Sequence, residues 1–248
     1  MNGHDFTLCG TECTALPSGA LFLPAHDTLC VSDLHLGKSD RIARRSGVML
    51  PPYEVRETLE KLQTDLQATN PKTVICLGDS FDDLDAASSL HDDMRLMLTG
   101  LQAGRQWIWI EGNHDPGPVD LGGTHLAQFN VGTLTFRHIA TSQTAEVSGH
   151  YHPKHRIAGR SRPAFIYDKD RLILPAYGAY TGGLASHSTD LRKLLAAKAI
   201  AVMTGTKAIA VPLTQTPQPV HFRGRSYCRA LLHHRSTRRI HDRPLSPL

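Results

Sequence analysis

The sequence predicts an α/β domain, and two patterns predict it. Short apolar runs alternate with segments of helical periodicity through the first half, and the second half is a series of short β runs separated by turn residues. A length of 248 residues suits one such domain with a sizeable core. Forty percent apolar and 20% charged residues, with no apolar run of transmembrane length, describe a soluble globular chain and exclude a membrane-spanning one.

Thr28–Val31 (TLCV) is the first clear strand and runs into Ser32-Asp33. Residues 51–68 predict a helix: Pro51 and Pro52 suit its first turn, and Val55, Leu59, Leu62 and Leu66 recur at three- and four-residue steps. Thr73–Leu77 (TVICL) reads as a buried strand ending at Gly78-Asp79. Residues 89–101 are helical, with Leu90, Met94, Met97 and Leu101 on one face, and Gln106–Ile110 (QWIWI) is a third strand leading into Gly112-Asn113. Beyond it Leu134–Arg137, Glu146–Ser148, Ala164–Tyr167 and Leu172–Leu174 are short strands. Residues 190–198 look helical, and Ala199–Met203 with Ala208–Val211 form a closing hairpin. With no internal repeat and no linker before the Arg-rich end, residues 1–215 read as one domain and 216–248 as a peripheral, partly disordered segment.

The net charge of +4 is unevenly placed. Residues 216–248 hold seven Arg against one acid, a net of +6, which leaves −2 for the rest. Such an end either attracts a polyanion through counterion release or simply aids solubility. The N-terminus MNGHDFTLCG lacks a basic region followed by an apolar one, so no export signal is expected. Cys9, Cys13, Cys30, Cys76 and Cys228 are an odd number and scattered. Free thiols in a reducing cytoplasm explain them better than a disulfide framework, and Cys9 and Cys13 lack a second pair with which to complete a metal site.

Five motifs rich in His, Asp and Asn fall in order, each where a strand ends: Asp33-Leu34-His35, Gly78-Asp79-Ser80-Phe81-Asp82, Gly112-Asn113-His114-Asp115, His138, and Gly149-His150-Tyr151-His152. One D-x-H or one buried His means little, since most buried His are hydrogen-bonded core residues. Five in order converge where α/β folds gather functional groups, in loops beyond the carboxyl ends of strands. Their donors suffice for two metal ions sharing one carboxylate, and cations about 3.5–4 Å apart are a recurring device for displacement at phosphorus. For the single-residue motif, His125 rivals His138, but it sits among Gly122, Gly123 and Thr124 in a loop region and not at a strand end.

The order D-x-H, G-D-x-x-D, G-N-H-D, H, G-H-x-H resembles the calcineurin-like metallophosphoesterase superfamily over residues 28–180. The resemblance implies a four-layer α/β fold, two packed mixed β-sheets flanked by helices. It implies one metal on Asp33, His35, Asp79 and His152, and another on Asp79, Asn113, His138 and His150, with Asp79 bridging. It also implies that His114 protonates the leaving oxygen while Asp82 orients its ring. Asp115 then fixes the loop. Manganese is the expected metal, with Fe²⁺, Co²⁺, Ni²⁺ or Zn²⁺ also compatible with mixed His/Asp/Asn ligation.

Protein Ser/Thr phosphatases of the superfamily carry Arg and Glu where this chain has Asp83 and Asp115, which argues against protein dephosphorylation. The strings LGDSFDD, IEGNHDPGP, SGHYHPKHR and LPAYGAYTGGL are similar to the bacterial DNA-ligase-associated phosphoesterases, DNA-damage-response phosphodiesterases or endonucleases. That resemblance implies a nucleic-acid substrate, single-stranded DNA foremost, with a DNA ligase or helicase as partner. His155, Arg156, Arg160 and Arg162 then become phosphate contacts, against the plainer reading of a solvated β edge. A small substrate (cyclic nucleotide, nucleotide-lipid pyrophosphate or phosphomonoester) stays open. A scaffold without chemistry fits poorly, because every ligand position and the His114–Asp82 pair are intact.

Overall fold

The computed structural model describes residues 2–47, 53–117 and 120–213. Pro51, Pro52 and the segment 216–248 therefore lie outside the described residues. The first half runs β1 (His4–Leu8), β2 (Thr11–Ala15), β3 (Leu21–Leu23), β4 (Thr28–Val31), α1 (Lys38–Ser46), α2 (Glu54–Thr69), β5 (Thr73–Leu77), α3 (Leu84–Ser88), α4 (Asp92–Gln102), β6 (Gln106–Ile110) and β7 (Thr124–Leu126). The second runs β8 (Gln128–Val131), β9 (Leu134–Arg137), β10 (Glu146–Ser148), β11 (Lys154–Ile157), β12 (Arg160–Tyr167), β13 (Arg171–Ile173), α5 (Thr189–Leu194), β14 (Ala199–Met203) and β15 (Ile209–Leu213).

Two mixed sheets result. The first has the order β1-β2-β3-β4-β5-β6-β7, antiparallel up to β4 and parallel from there to β7. The second has the order β15-β14-β12-β13-β10-β9-β8, with β11 added to β12. Side chains alternate along each strand, and the alternation builds the layers. Cys30, Ile75, Leu77, Ile108 and Ile110 of the first sheet pack with Leu134, Phe136, Val147, Phe165, Leu172 and Val202 of the second. Their neighbours Leu29, Val31, Val74, Cys76, Trp107 and Trp109 face the other way, onto Val55, Leu59, Leu62 and Leu66 of α2 and Met94, Leu98 and Leu101 of α4. Behind the second sheet, Ala164, Ile166, Ile173, Ala201 and Met203 pack with Leu191 of α5. This is the expected four-layer fold. Burying each large aliphatic side chain contributes about 1.5–3 kcal/mol, so the inner layer between sheets is a major source of stability.

The helix expected over 89–101 is shorter and preceded by a separate turn of helix. Asp83 caps α3 by accepting the Ala86 N–H at 2.8 Å, and α4 restarts only after His91 in extended backbone. The register places the functional loops: Val31 pairs with Cys76 and Leu77 with Ile110, so β4, β5 and β6 end together. On the facing sheet β9 and β10 also run parallel and end together, at Arg137 and Ser148.

Candidate metal centre

The loops after β4 and β5 are fastened to one another through their backbones. Asp33 N–H donates to Gly78 O (3.2 Å), His35 N–H to Asp79 O (2.9 Å), and Leu36 N–H to Ser80 O (3.0 Å). From the other sheet, Gly149 N–H donates to His138 O (3.0 Å) and His150 N–H to the Asp33 carboxylate (3.0 Å). Asp33, His35, Asp79, His150 and His152 all have left-handed φ, between 45° and 70°. Such residues cost on the order of 1 kcal/mol or more each and persist where surroundings over-determine them. Neighbouring glycines are needed for room: a Cβ on Gly78 would lie 2.2 Å from the His138 ring, and one on Gly149 1.9 Å from Ser32 Oγ.

Potential ligand atoms of Asp33, His35 and His152 lie within 4.8 Å of one another, as do those of Asp79, His138 and His150, and those of His35, Asp79 and His114. His152 Nε2 is 3.0 Å from Asp33 Oδ1 and 3.4 Å from His35 Nε2. Asp79 Oδ2 is 3.4 Å from His138 Nε2 and 4.0 Å from His35 Nε2. Asn113 Oδ1 and His150 Nδ1 lie 3.0 and 3.2 Å from His138 Nε2.

Proton placement decides what this cluster can hold. His138 Nδ1 faces the Leu77 carbonyl at 3.2 Å, which can only accept, so Nδ1 carries the proton. His35 Nδ1 likewise donates to Asp82 Oδ1 at 2.9 Å. Neutral rings then aim Nε2 lone pairs at carboxylate and amide oxygens, an arrangement of acceptors that calls for a cation between them. The outward N–H to a carboxylate or carbonyl is also the usual support of a metal-bound His. The residues present therefore fit divalent ions.

Charge follows from the same contacts. Burial alone would raise the Asp79 carboxyl, but where no cation intervenes a His138 ring protonated on both nitrogens, through its hydrogen bond and charge, and the His114 N–H (2.9 Å) hold it below the usual range. At His138, burial opposes the proton, yet Asp79 and Asp33 raise the ring's affinity overall. Burial and then the charge of His138 lower that of His150.

One expected pairing is corrected. The Asp82 carboxylate faces His35, not His114. It also binds Arg41 Nε and lies 3.9 Å from Lys38 Nζ. His114 Nδ1 is instead 2.9 Å from the Asp82 backbone carbonyl, because the chain turns there and sends side chain and carbonyl opposite ways. Burial would raise Asp82, but His35, Arg41 and Lys38 together lower it. Asp115 accepts from Ser80 N–H (2.8 Å), Phe81 N–H (3.2 Å) and Gly112 N–H (3.1 Å), which ties the β5 and β6 loops. Burial and the Asp79 charge still push its carboxyl up to about 6.

His125 lies within β7, paired to β6, and its ring stacks on Trp109 away from the donors; the loop expected there is a strand. His155, Arg156, Arg160 and Arg162 stand on the β11–β12 hairpin that leaves directly after His152. His155 pairs across with Arg162 and so shares a face with it and with Arg160, while Arg156 turns to the other face. His155 is held by Ser186 Oγ at 2.7 Å, and Arg156 and Arg160 are exposed. Lys38 and Arg41 were not anticipated as members of the site. Their i, i+3 spacing just after the D-x-H motif was the available signal.

Calcineurin-like phosphoesterase is the family whose model matches the chain, over residues 27–195. No curated protein matches it. Among solved structures it is similar to a Pseudomonas putida nuclease MPE, at 22% identity and a TM-score of 0.66, covering 85% of this chain and 100% of that one. It also matches a conserved uncharacterized protein of Streptococcus pneumoniae TIGR4, described as a predicted phosphoesterase, at 14% identity over 75% of this chain and 97% of that one. There the TM-score of 0.29 supports nothing further. With the family model spanning most of the chain and the donors meeting as metal ligands can, the chain belongs to the calcineurin-like phosphoesterase family and is a metal-dependent phosphoester hydrolase.

Proposed function

We propose that the chain is a dinuclear-metal phosphodiesterase that hydrolyses nucleic-acid backbones, single-stranded DNA foremost. The observation that carries this reading is the meeting of two donor groups, Asp33–His35–His152 and Asp79–His138–His150, with the Asp79 carboxylate reaching toward both. In this reading Asp33, His35, Asp79 and His152 hold one ion, and Asp79, Asn113, His138 and His150 the other. Two bound cations, Mn²⁺ first among the compatible metals, supply Lewis acidity toward the phosphoryl group.

The remaining steps belong to the protein. Asp79 offsets charge that two dications would otherwise repel. His114 donates Nδ1–H to the Asp82 carbonyl, which leaves Nε2 to carry the proton for the departing oxygen. Asp82 holds His35 in the ligating tautomer. The cationic side chains of the β11–β12 hairpin and the Arg-rich residues 216–248, appended to a catalytic domain of residues 1–215, supply backbone-phosphate contacts. Asp83 and Asp115 are engaged with backbone N–H groups, so neither substitutes for the Arg and Glu of protein phosphatases. The likeness to a protein described as a nuclease supports the nucleic-acid substrate. A cytoplasmic place beside a DNA ligase or helicase goes with this reading. Among the described residues no helix is long and apolar enough to cross a membrane.

The test is a substrate panel on the manganese-loaded chain: bis(p-nitrophenyl) phosphate, p-nitrophenyl phosphate, cyclic nucleotides, and single- and double-stranded DNA. Diesters should be cleaved in preference to the monoester, and single-stranded DNA better than cyclic nucleotides. Cleavage of cyclic nucleotides or the monoester without DNA cleavage would replace this reading with the small-substrate one.

A further inference from the structure

Two residues beyond Gly178, whose N–H donates to the Asp33 carbonyl, Tyr180 holds a left-handed backbone conformation. A φ of 55° is one a bulky side chain rarely adopts, and the residue is 47% exposed. No hydrogen bond or ring contact holds the side chain among the described residues. The loop around it, by contrast, is firmly fixed. Gly178 N–H donates to Asp33 O (3.1 Å), Ala179 N–H to Thr58 Oγ1 (3.4 Å), and Leu184 N–H to Tyr151 O (3.2 Å). Lys154 Nζ donates to Thr181 O at 3.0 Å, which sets an ammonium one residue from the ring. Tyr180 is two residues from Gly178, at most about 7 Å along the backbone. A strained, exposed aromatic on a fixed loop beside a cation and a donor cluster is the combination that single-strand binding uses: stacking for bases and charge for the backbone.

We propose that Tyr180 is a specificity residue whose ring stacks on a nucleobase next to the phosphate being cleaved. The proposal rests on the nucleic-acid reading above and extends it: the enzyme senses the base and not the backbone alone. Any base offers a π face, so the preference is for bases as such and not for a sequence. Lys154, bonded to the Thr181 carbonyl, meets the adjoining phosphate.

The experiment compares a single-stranded oligonucleotide with its abasic counterpart on the manganese-loaded full chain. The parent should cleave the base-bearing strand about 10–100-fold better in kcat/KM, the usual worth of one stacked base. Tyr180→Gly, which suits the left-handed backbone, should erase that preference while metal content and Tm hold. Tyr180→Trp and Tyr180→Phe should restore it. A Gly variant that keeps the preference, or that loses equally on both strands, overturns the proposal and leaves the nucleic-acid reading standing. A parent that cleaves a small diester but neither strand overturns both.

Discussion

The two sheets contribute unlike halves to one centre. The first sheet supplies the carboxylates, Asp33, Asp79 and Asp82, all buried, on loops zipped to each other by backbone bonds. The second supplies imidazoles, and two of these, His150 and His152, are half-buried on a loop following β10. Two of the donor groups span both sheets, since Asp33 and His35 meet His152 from across the interface and Asp79 meets His138 and His150, whereas His35, Asp79 and His114 meet within the first half alone. The lesson is that these buried carboxylates all stand on one sheet, and the packing of the other sheet against it brings further imidazoles to them. The inner layer of Ile, Leu, Val and Phe therefore sets metal spacing as well as stability.

The harshest way to break this comparison is Asp79→Ala. One carboxylate faces both groups, so elemental analysis should find neither metal and hydrolysis should drop to background. A variant that keeps two metals would show that each sheet holds its own ion.

His114 and Asp82 sharpen it next. His114→Ala should keep both metals while kcat falls by about 10²–10⁴ on a poor leaving group, and less on p-nitrophenolate, which needs little protonation. Loss of a metal instead would make His114 a ligand, since it lies within reach of His35 and Asp79. Asp82→Ala should do the opposite: metal affinity falls by about 10–100-fold through the loosened His35, and the leaving-group dependence stays.

Much of this was legible in the sequence, for reasons particular to each segment. The strands β4, β5 and β6 are apolar runs stopped by motif residues, and β9 and β10 are short β runs set off by turn residues and ended by the motif His138 and Gly149, so both their existence and their ends could be read. The hairpin of β1 and β2 escaped because its pattern alternates without a strong apolar core, as in HDFTL and TECTA. Its turn, Cys9-Gly10 with both φ positive, was the available mark. The strand holding His125 is three residues long and largely polar, and β11 is a charged edge. The partner of Asp82 was not readable, because adjacency of Asp82 to the site says nothing of which way its carboxylate turns. Only the meeting of α1 with the β5 loop settles that.

Chelation tests the claim that cations join the sheets. Metal that binds only the native state stabilises it by about 2.7 kcal/mol per site at a hundred times Kd. Its removal from both sites should then lower Tm by roughly 10–20 °C for a chain of this size. Hydrogen exchange should quicken together in the loops after β4 and β5 and in those after β9 and β10. Quickening on one sheet alone would mean that the metals belong to that sheet.

The smallest effect separates the inner layer from the outer one, through alkaline pH. Cys13 lies in the layer between the sheets, and burial, then the nearby Cys9, push its thiol from 9.0 up to about 12. Burial likewise raises Cys30 and Cys76 well above 9.0. Between those values the unfolded chain has released a proton that the native chain keeps, so stability falls as pH rises above 9. Lys61, on the outer helix α2, works oppositely. Burial against Tyr177 lowers it from 10.5 to about 8 despite Asp65 and Glu57, so the native chain sheds its proton first and stability rises between 8 and 10.5. The two trends oppose each other from 9 to 10.5, where three thiols outweigh one ammonium, and above 10 the Tyr177 phenol, which burial raises well above 10.0, adds to the thiols. Each group changes stability by at most about 1.4 kcal/mol per pH unit. Urea unfolding across pH 7–11 should therefore show a slight rise to about 9 and a decline above it that steepens past 10.5. Cys13→Val should flatten the decline, and Lys61→Met should remove the rise. If Cys13→Val leaves the decline unaltered, the thiol at that position is hydrated in the native state, and the inner layer is less tightly closed than its burial implies.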